Sequence, residues 1–318
     1  MSGSILLPFQ SVSFTGTAPG ARLVVLGAVH GNETCGTQAI RRVIGEIEAG
    51  QLGIVAGQVT LVPVTNPLAY ARGQRNGDRN LNRKLAPSDA PDEFEDRIAN
   101  WLCPLLAAHD ALLDLHSFHT AGDPFVMLGP EDNAGVLEPF TRAAEETALA
   151  MSLGVHRCVD GWLDTYAAGV ARRAAAGAPA READVRYGIG TTEFMRSTGG
   201  IALTLECGQH DDPAAPEVAY RAIRRALAHL RLSAAPLPAP VAQMEALRLY
   251  KVVDRAHPGD TFVRPWASFD PVAANEIIGT RHDGTPVRTE SGGHIVFPNP
   301  EAQVGQEWFY LARRSTRV

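Results

Sequence analysis

The sequence predicts an α/β fold, a mixed central sheet with helices on both faces, followed by a small all-β C-terminal domain. Three observations predict it. Four apolar runs of strand length occur at 21–29, 58–64, 110–115 and 201–205. Segments with apolar residues three and four apart lie between and after them. Beyond a Pro-rich connector this helical periodicity stops and turn signals take over.

The first run, Leu23-Val24-Val25-Leu26-Gly27-Ala28-Val29, reads as a buried strand. Residues 34–49 follow as a helix, with Ile40, Val43, Ile44 and Ile47 on one face and Gly50 as a stop. After the second strand, residues 92–108 begin behind Pro91 and align Phe94, Ile98, Trp101, Leu102 and Leu105. The third strand opens with Ala111-Leu112-Leu113, and helical patterns at 137–152 and 216–232 flank the fourth, Ile201-Ala202-Leu203-Thr204-Leu205. The Ala-rich stretch 167–183 reads equally as a helix or a loop. Strands alternating with helices build a layered sheet.

Three of the five residues from Pro236 to Pro240 are proline, a stiff extended connector. It divides the chain into 1–233, a linker at 234–240, and 241–318. The last part carries Pro258-Gly259-Asp260, Asp283-Gly284 and Gly292-Gly293 as turns, and 271–279 as a turn plus strand.

Composition narrows the function. Of the 318 residues, 45% are apolar and 20% charged, the balance of a soluble globular protein. No apolar run approaches the length of a membrane span, and the N-terminus lacks a basic start and apolar stretch, so no membrane or secretory role is expected. A formal charge of −6 argues against nucleic acid as a partner. Cys35, Cys103, Cys158 and Cys207 are scattered without Cys-x-x-Cys spacing, which suits reduced thiols in the cytoplasm.

The chemistry gathers at strand ends. His30-Gly31-Asn32-Glu33 emerges where the first strand stops, and a His and a Glu three apart there can turn onto one point. His116 follows the third strand in Asp114-Leu115-His116. If the strands are neighbours, His30, Glu33 and His116 form the three-ligand set of a catalytic zinc site. Taken singly, His30 reads as a helix cap and Glu33 as a first-turn charge; the combination favours the metal. Asp114, two residues before His116 and on the same face of a strand, is placed to hold the far nitrogen of a ligand histidine, and reads equally as an N-cap or a solvated strand end.

Glu206, at the end of the fourth strand, lies on the same sheet edge, where sites of open α/β sheets collect. It is the natural general base, taking a proton from a zinc-bound water and returning it to a leaving nitrogen. The loop after the second strand carries Asn66-Pro67, Arg72, Arg75, Asn82 and Arg83. Its arginines and asparagine suit an anionic substrate.

With these elements in view, the chain resembles the succinylglutamate desuccinylase/aspartoacylase family of zinc carboxypeptidase-like enzymes. The matching segments are His30-Gly31-Asn32-Glu33, Asn66-Pro67-x-Ala69, Leu81-Asn82-Arg83, Asp114-Leu115-His116 and Thr204-x-Glu206-x-Gly208, in the family's order. The resemblance implies a carboxypeptidase-like fold, one zinc per chain and hydrolysis of an N-acyl amide. It implies that His30, Glu33 and His116 hold zinc, that Glu206 is the base, and that Arg75 polarises the scissile carbonyl. It assigns Asn82 and Arg83 to a substrate carboxylate. Gly190-Thr191-Thr192-Glu193-Phe194-Met195-Arg196 resembles a further stretch of the broader family, with Arg196 a pocket-lining, substrate-binding candidate. One departure stands out: the family commonly has Asp-Leu-Asn-Arg where this chain has Asn80-Leu81-Asn82-Arg83.

The expected activity is therefore zinc-dependent hydrolysis of a small, carboxylate-bearing N-acyl amino acid or related amide. A carboxypeptidase acting on short or modified peptides is the alternative, and a metal-containing binding protein without turnover a third reading. A Cys207 nucleophile activated by His210 is a further one. His109, His119, His156, His257, His282 and His294 read as structural or exposed. The C-terminal domain has two possible jobs, closing over the zinc edge or mediating homo-oligomer contacts.

Overall fold

The computed structural model describes residues 8–175 and 184–318. Its strands are β1 (Val12–Thr15), β2 (Ala18–Gly27), β3 (Ala56–Val62), β4 (Ala111–Phe118), β5 (Phe125–Met127), β6 (Arg157–Asp160) and β7 (Ile201–Gln209). After the connector come β8 (Glu245–Asp254), β9 (Thr261–Phe262), β10 (Pro271–Val272), β11 (Ile277–Thr280), β12 (Pro286–Arg288), β13 (Gly293–Val296) and β14 (Glu307–Arg314). The helices are α1 (Cys35–Glu48), α2 (Pro67–Arg72), α3 (Phe94–Ala107), α4 (Ala143–Ser152), α5 (Trp162–Ala175), α6 (Thr191–Ser197) and α7 (Ala215–His229).

Eleven strands form one mixed sheet in the order β1-β3-β2-β4-β7-β5-β6-β8-β14-β13-β10. Its centre, β3-β2-β4-β7, is parallel, and β5 runs antiparallel to β7. Side chains alternate across these strands, so each face has its own core. Leu23 and Val25 of β2 pack with Ile40 and Val43 of α1 and Ile223 and Leu227 of α7. Val24 and Leu26 pack the other way, with Ile98, Leu102 and Leu106 of α3 and Met195 of α6. Both faces are covered, as the continuous apolar runs predict.

Three boundaries differ from the sequence expectation. The helix expected over 137–152 begins only at Ala143, because Pro139 would interrupt it and Phe140 instead bridges Asn133. The apolar run at 201–205 is only the first half of β7, which continues through Glu206 to Gln209. In the same way Asp114 and His116 lie inside β4 rather than past its end. Of the Ala-rich stretch 167–183, residues through Ala175 belong to α5 and 176–183 lie outside the described residues.

The segment after the connector is strand and turn throughout. Four of its strands extend the central sheet, because β8 pairs in parallel with β6 from Arg157↔Glu245 to Asp160↔Arg248. This covers an edge that would otherwise offer unpaired backbone groups. Its core runs into that of the first segment: Phe118, Phe125 and Val159 pack with Leu249, Val296 and Tyr310. A separate three-stranded sheet, β12-β11-β9, closes a second small core around Trp308 and Phe309. No helix among the described residues is long and apolar enough to cross a membrane.

Candidate metal centre

The site begins with a turn at the end of β2. Ala28 takes a left-handed φ of 48°, an uncommon conformation that sharply redirects the chain. Its carbonyl accepts from the Asn66 N–H, and the Gly27 carbonyl accepts from Thr65. The Glu33 N–H then donates to the His30 carbonyl at 3.1 Å. That i to i+3 closure points both side chains at one place. Helix α1 starts only at Cys35, so Glu33 is not a residue of its first turn.

His116 arrives from β4. In the parallel register, Leu26 of β2 pairs with Asp114, and His116 pairs with Glu206 of β7. Leu113 and Leu115 belong to the core beneath α1 and α7, so Asp114 and His116 face the α3 and α6 side. Glu206 faces the same way, since Leu205 and Cys207 belong to the opposite core. The strands therefore deliver a ligand candidate, its support and the base candidate to one face of one sheet edge.

The ligand atoms converge. One nitrogen or oxygen from each of His30, Glu33 and His116 lies within 4.8 Å of the others, and all three residues are buried. His30 Nδ1 is 2.9 Å from Glu33 Oε1, and His116 Nδ1 is 2.8 Å from Glu33 Oε2. The far ring nitrogens are backed in turn. His30 Nε2 lies 3.1 Å from Asn80 Oδ1, and His116 Nε2 lies 3.0 Å from Asp114 Oδ2. Thr191 Oγ1, at the start of α6, donates to the same Asp114 oxygen at 2.5 Å.

The charges follow from this packing. Burial, helped by Arg75, outweighs the attraction of Glu33 and brings His30 down to about 4, so its ring is neutral at pH 7 and able to ligate. Burial also works against the charged form of His116, but Asp114 and Glu33 outweigh it and raise the group. Burial pushes the Glu206 carboxyl up to about 8, His116 and Arg75 opposing and Glu33 and Asp114 reinforcing. Strongly perturbed carboxyls cluster at functional sites.

Zinc fits these residues. Buried polar atoms without a hydrogen-bond partner among the described residues meet here, His30 Nδ1 and Glu206 Oε2 among them. With Nε2 of His30 donating to Asn80, its Nδ1 carries a lone pair 2.9 Å from a carboxylate oxygen. Two such acceptors repel unless a cation lies between them, and two imidazoles with a carboxylate suit zinc.

The remaining sequence candidates line a cavity of about 520 Å³ that opens from this cluster. Arg75 reaches the centre, with Nη1 2.8 Å from Glu33 Oε1. Asn82 Oδ1 accepts from the Thr191 N–H at 2.8 Å, which ties the loop to α6. Arg83 sits over Trp162 and Tyr166, 5.0 and 5.7 Å from the ring centroids, and 3.6 Å from Glu307. Its aromatic cradle comes from α5 and its carboxylate from β14.

Arg196 is engaged in a buried ion-pair cluster. It borders the cavity, but its guanidinium is taken up by Glu146 at 2.8 and 3.2 Å, Glu138 at 2.8 Å and the Ala202 carbonyl at 2.6 Å. It braces α4 and α6 against β7 and has little left to offer a substrate. Arg72 is likewise spent on the Gly77 carbonyl and on Asp78. Cys207 is fully buried on the far side of the sheet from Glu206, with burial raising its thiol well above the usual range. His210 turns instead to Ser117 Oγ at 2.8 Å, so no cysteine–histidine pair forms.

The sequence reading missed Glu95 and Glu307. Buried Glu95 of α3 accepts from Asn66 Nδ2 and from the backbone N–H groups of Gly77, Asp78 and Arg79. It organises the loop that carries Arg75 and Asn82. An acidic residue at a helix start is ordinary, so nothing in the sequence singles it out.

The sequence matches the family model described as the succinylglutamate desuccinylase/aspartoacylase catalytic domain over residues 19–233. No curated protein matches it significantly. Among solved structures, the fold is similar to a succinylglutamate desuccinylase/aspartoacylase from Rhodobacter sphaeroides, with a TM-score of 0.72 and 17% identity over 96% of this chain and 90% of that one. It is similar to a succinylglutamate desuccinylase from Vibrio cholerae, with a TM-score of 0.70 and 19% identity over 96% and 85%. The product-bound ectoine utilization protein EutE from Ruegeria pomeroyi gives 0.69 and 18% over 95% and 88%. At these identities the likeness is one of fold.

Proposed function

The chain belongs to the succinylglutamate desuccinylase/aspartoacylase family, and from that premise we propose that it is a zinc-dependent hydrolase of a small, carboxylate-bearing N-acyl amino acid or related amide. The family's hydrolases act on amides. The observation that carries the zinc reading is the pair of facing acceptors, His30 Nδ1 and Glu33 Oε1, with His116 Nδ1 completing the set.

When bound by His30, Glu33 and His116, zinc would polarise the amide carbonyl and lower the pKa of a water molecule to about 7. Glu206 takes the proton from the attacking water and delivers it to the leaving nitrogen as the carbon–nitrogen bond breaks. Its partnerless Oε2 leaves an oxygen for that work. Arg75 stabilises the negative charge that develops on the carbonyl oxygen. Asn82 and Arg83 hold the substrate carboxylate, with Trp162 and Tyr166 keeping the Arg83 guanidinium in place.

The test is a metal assay joined to a substrate panel. Purified protein is expected to hold one zinc per chain, lose turnover with a chelator and regain it with zinc. N-acyl amino acids are expected to be cleaved and dipeptides spared. Cleavage of dipeptides alone would make the protein a carboxypeptidase, and zinc without any amide hydrolysis would remove the enzymatic reading.

A further inference from the structure

Asn80 joins two parts of the site through one atom. Its Oδ1 accepts from the Asn82 backbone N–H at 2.9 Å and lies 3.1 Å from His30 Nε2. The Asn82 group can only donate, so the amide oxygen, not the nitrogen, faces both partners. That orientation makes His30 Nε2 the protonated nitrogen and frees Nδ1 toward Glu33. One oxygen thus sets the tautomer of a metal-ligand candidate and the backbone of a substrate-binding candidate.

The other ligand ring shows what a charge does at the same place. His116 Nε2 lies 3.0 Å from a carboxylate, Asp114 Oδ2, which is buried and anchored by Thr191. A carboxylate behind a ligand histidine strengthens the ring as a donor to metal, and such partners alter metal affinity 10- to 100-fold. Asn80 gives His30 the same hydrogen bond without the charge. Arg79, its neighbour, is held by Glu93 and Asp96 and makes no bond to the Asn80 side chain.

We propose that Asn80 is a positioning residue that couples His30 to the Asn82 loop, and that its neutral amide holds zinc affinity below what a carboxylate there would give. The inference rests on the zinc reading above. It is tested by competing wild-type protein, Asn80→Asp and Asn80→Ala against a chromophoric zinc chelator. The aspartate variant is expected to bind zinc about tenfold more tightly and the alanine variant about tenfold more weakly. The alanine variant should also show a raised KM with a smaller change in kcat, because the Asn82 N–H loses its acceptor. General damage to the fold would weaken zinc binding in both variants, so opposite signs mark the positioning role. Asn80→Asp equal to or weaker than wild type overturns the inference while leaving the zinc reading intact. Wild-type protein that binds no zinc overturns both.

Discussion

Gly31 lies against the backbone of Ala69: a β-carbon on residue 31 would fall 2.0 Å from the Ala69 carbonyl carbon and 2.2 Å from its oxygen. This contact joins two of the sequence segments that first drew notice. Asn66 caps α2 by accepting from the Ala69 N–H, and Pro67 opens the helix. The small residue at 69 and the absent side chain at 31 let the helix start pack beneath the ligand turn.

Gly31→Ala must push α2 away from that turn. The expected result is zinc affinity lowered at least about tenfold, read by chelator competition, with a lower melting temperature. Gly45→Ala is the control. It lies inside α1 with nothing near its missing β-carbon, and alanine there should stabilise by about 1 kcal/mol. Equal effects at both positions would mean the close approach at Gly31 is unimportant.

Glu206→Gln keeps the shape of the proposed base and removes its proton chemistry. Turnover is expected to fall by about 10²- to 10⁴-fold while zinc content stays at the wild-type level. Unchanged turnover would show that another group moves the proton.

Arg196→Met leaves Glu146 and Glu138 without their cation in a buried setting. Uncompensated buried charge costs about 3–5 kcal/mol, a loss that denaturant titration would resolve. If stability holds and only KM rises, Arg196 belongs to substrate binding after all.

Asp260 gives a pH-dependent prediction. Burial raises its carboxyl, but a hydrogen bond from Arg281 and three from backbone N–H groups outweigh that and bring it down to about 2 from 3.8. A group depressed on folding stabilises above its unfolded pKa and loses that contribution as pH falls through the folded value. Asp260→Asn is therefore expected to cost about 2 kcal/mol at neutral pH. The difference from wild type should shrink between pH 4 and pH 2, and a difference that stays constant over that range would refute the assignment.

The layered sheet was readable from the apolar runs because both faces of β2, β3, β4 and β7 are covered, which leaves no polar alternation to confuse the pattern. The ligand turn and Glu206 were readable because polar residues interrupt those runs. What escaped the sequence acts at a distance. Glu95 reaches back to the loop at 77–79, and Glu307 approaches Arg83 only after β14 joins the sheet. The ion pairs of Arg196 were not legible, because Glu138 and Glu146 lie 58 and 50 residues away in the chain and are invisible to local pattern. Asn80 looked like the loss of a supporting charge, and only the fold shows its oxygen serving two donors.

His116 and Glu206 are opposite residues on adjacent parallel strands. Their backbones are thus held at the spacing of a sheet ladder, about 4.8 Å, in its most enclosed part. That distance does not depend on any loop. Arg75, Asn82 and Arg83, by contrast, ride on a connection whose shape hangs on a few side chains. Such a division leaves the loop open to remodelling while the interval between His116 and Glu206 stays fixed by the sheet.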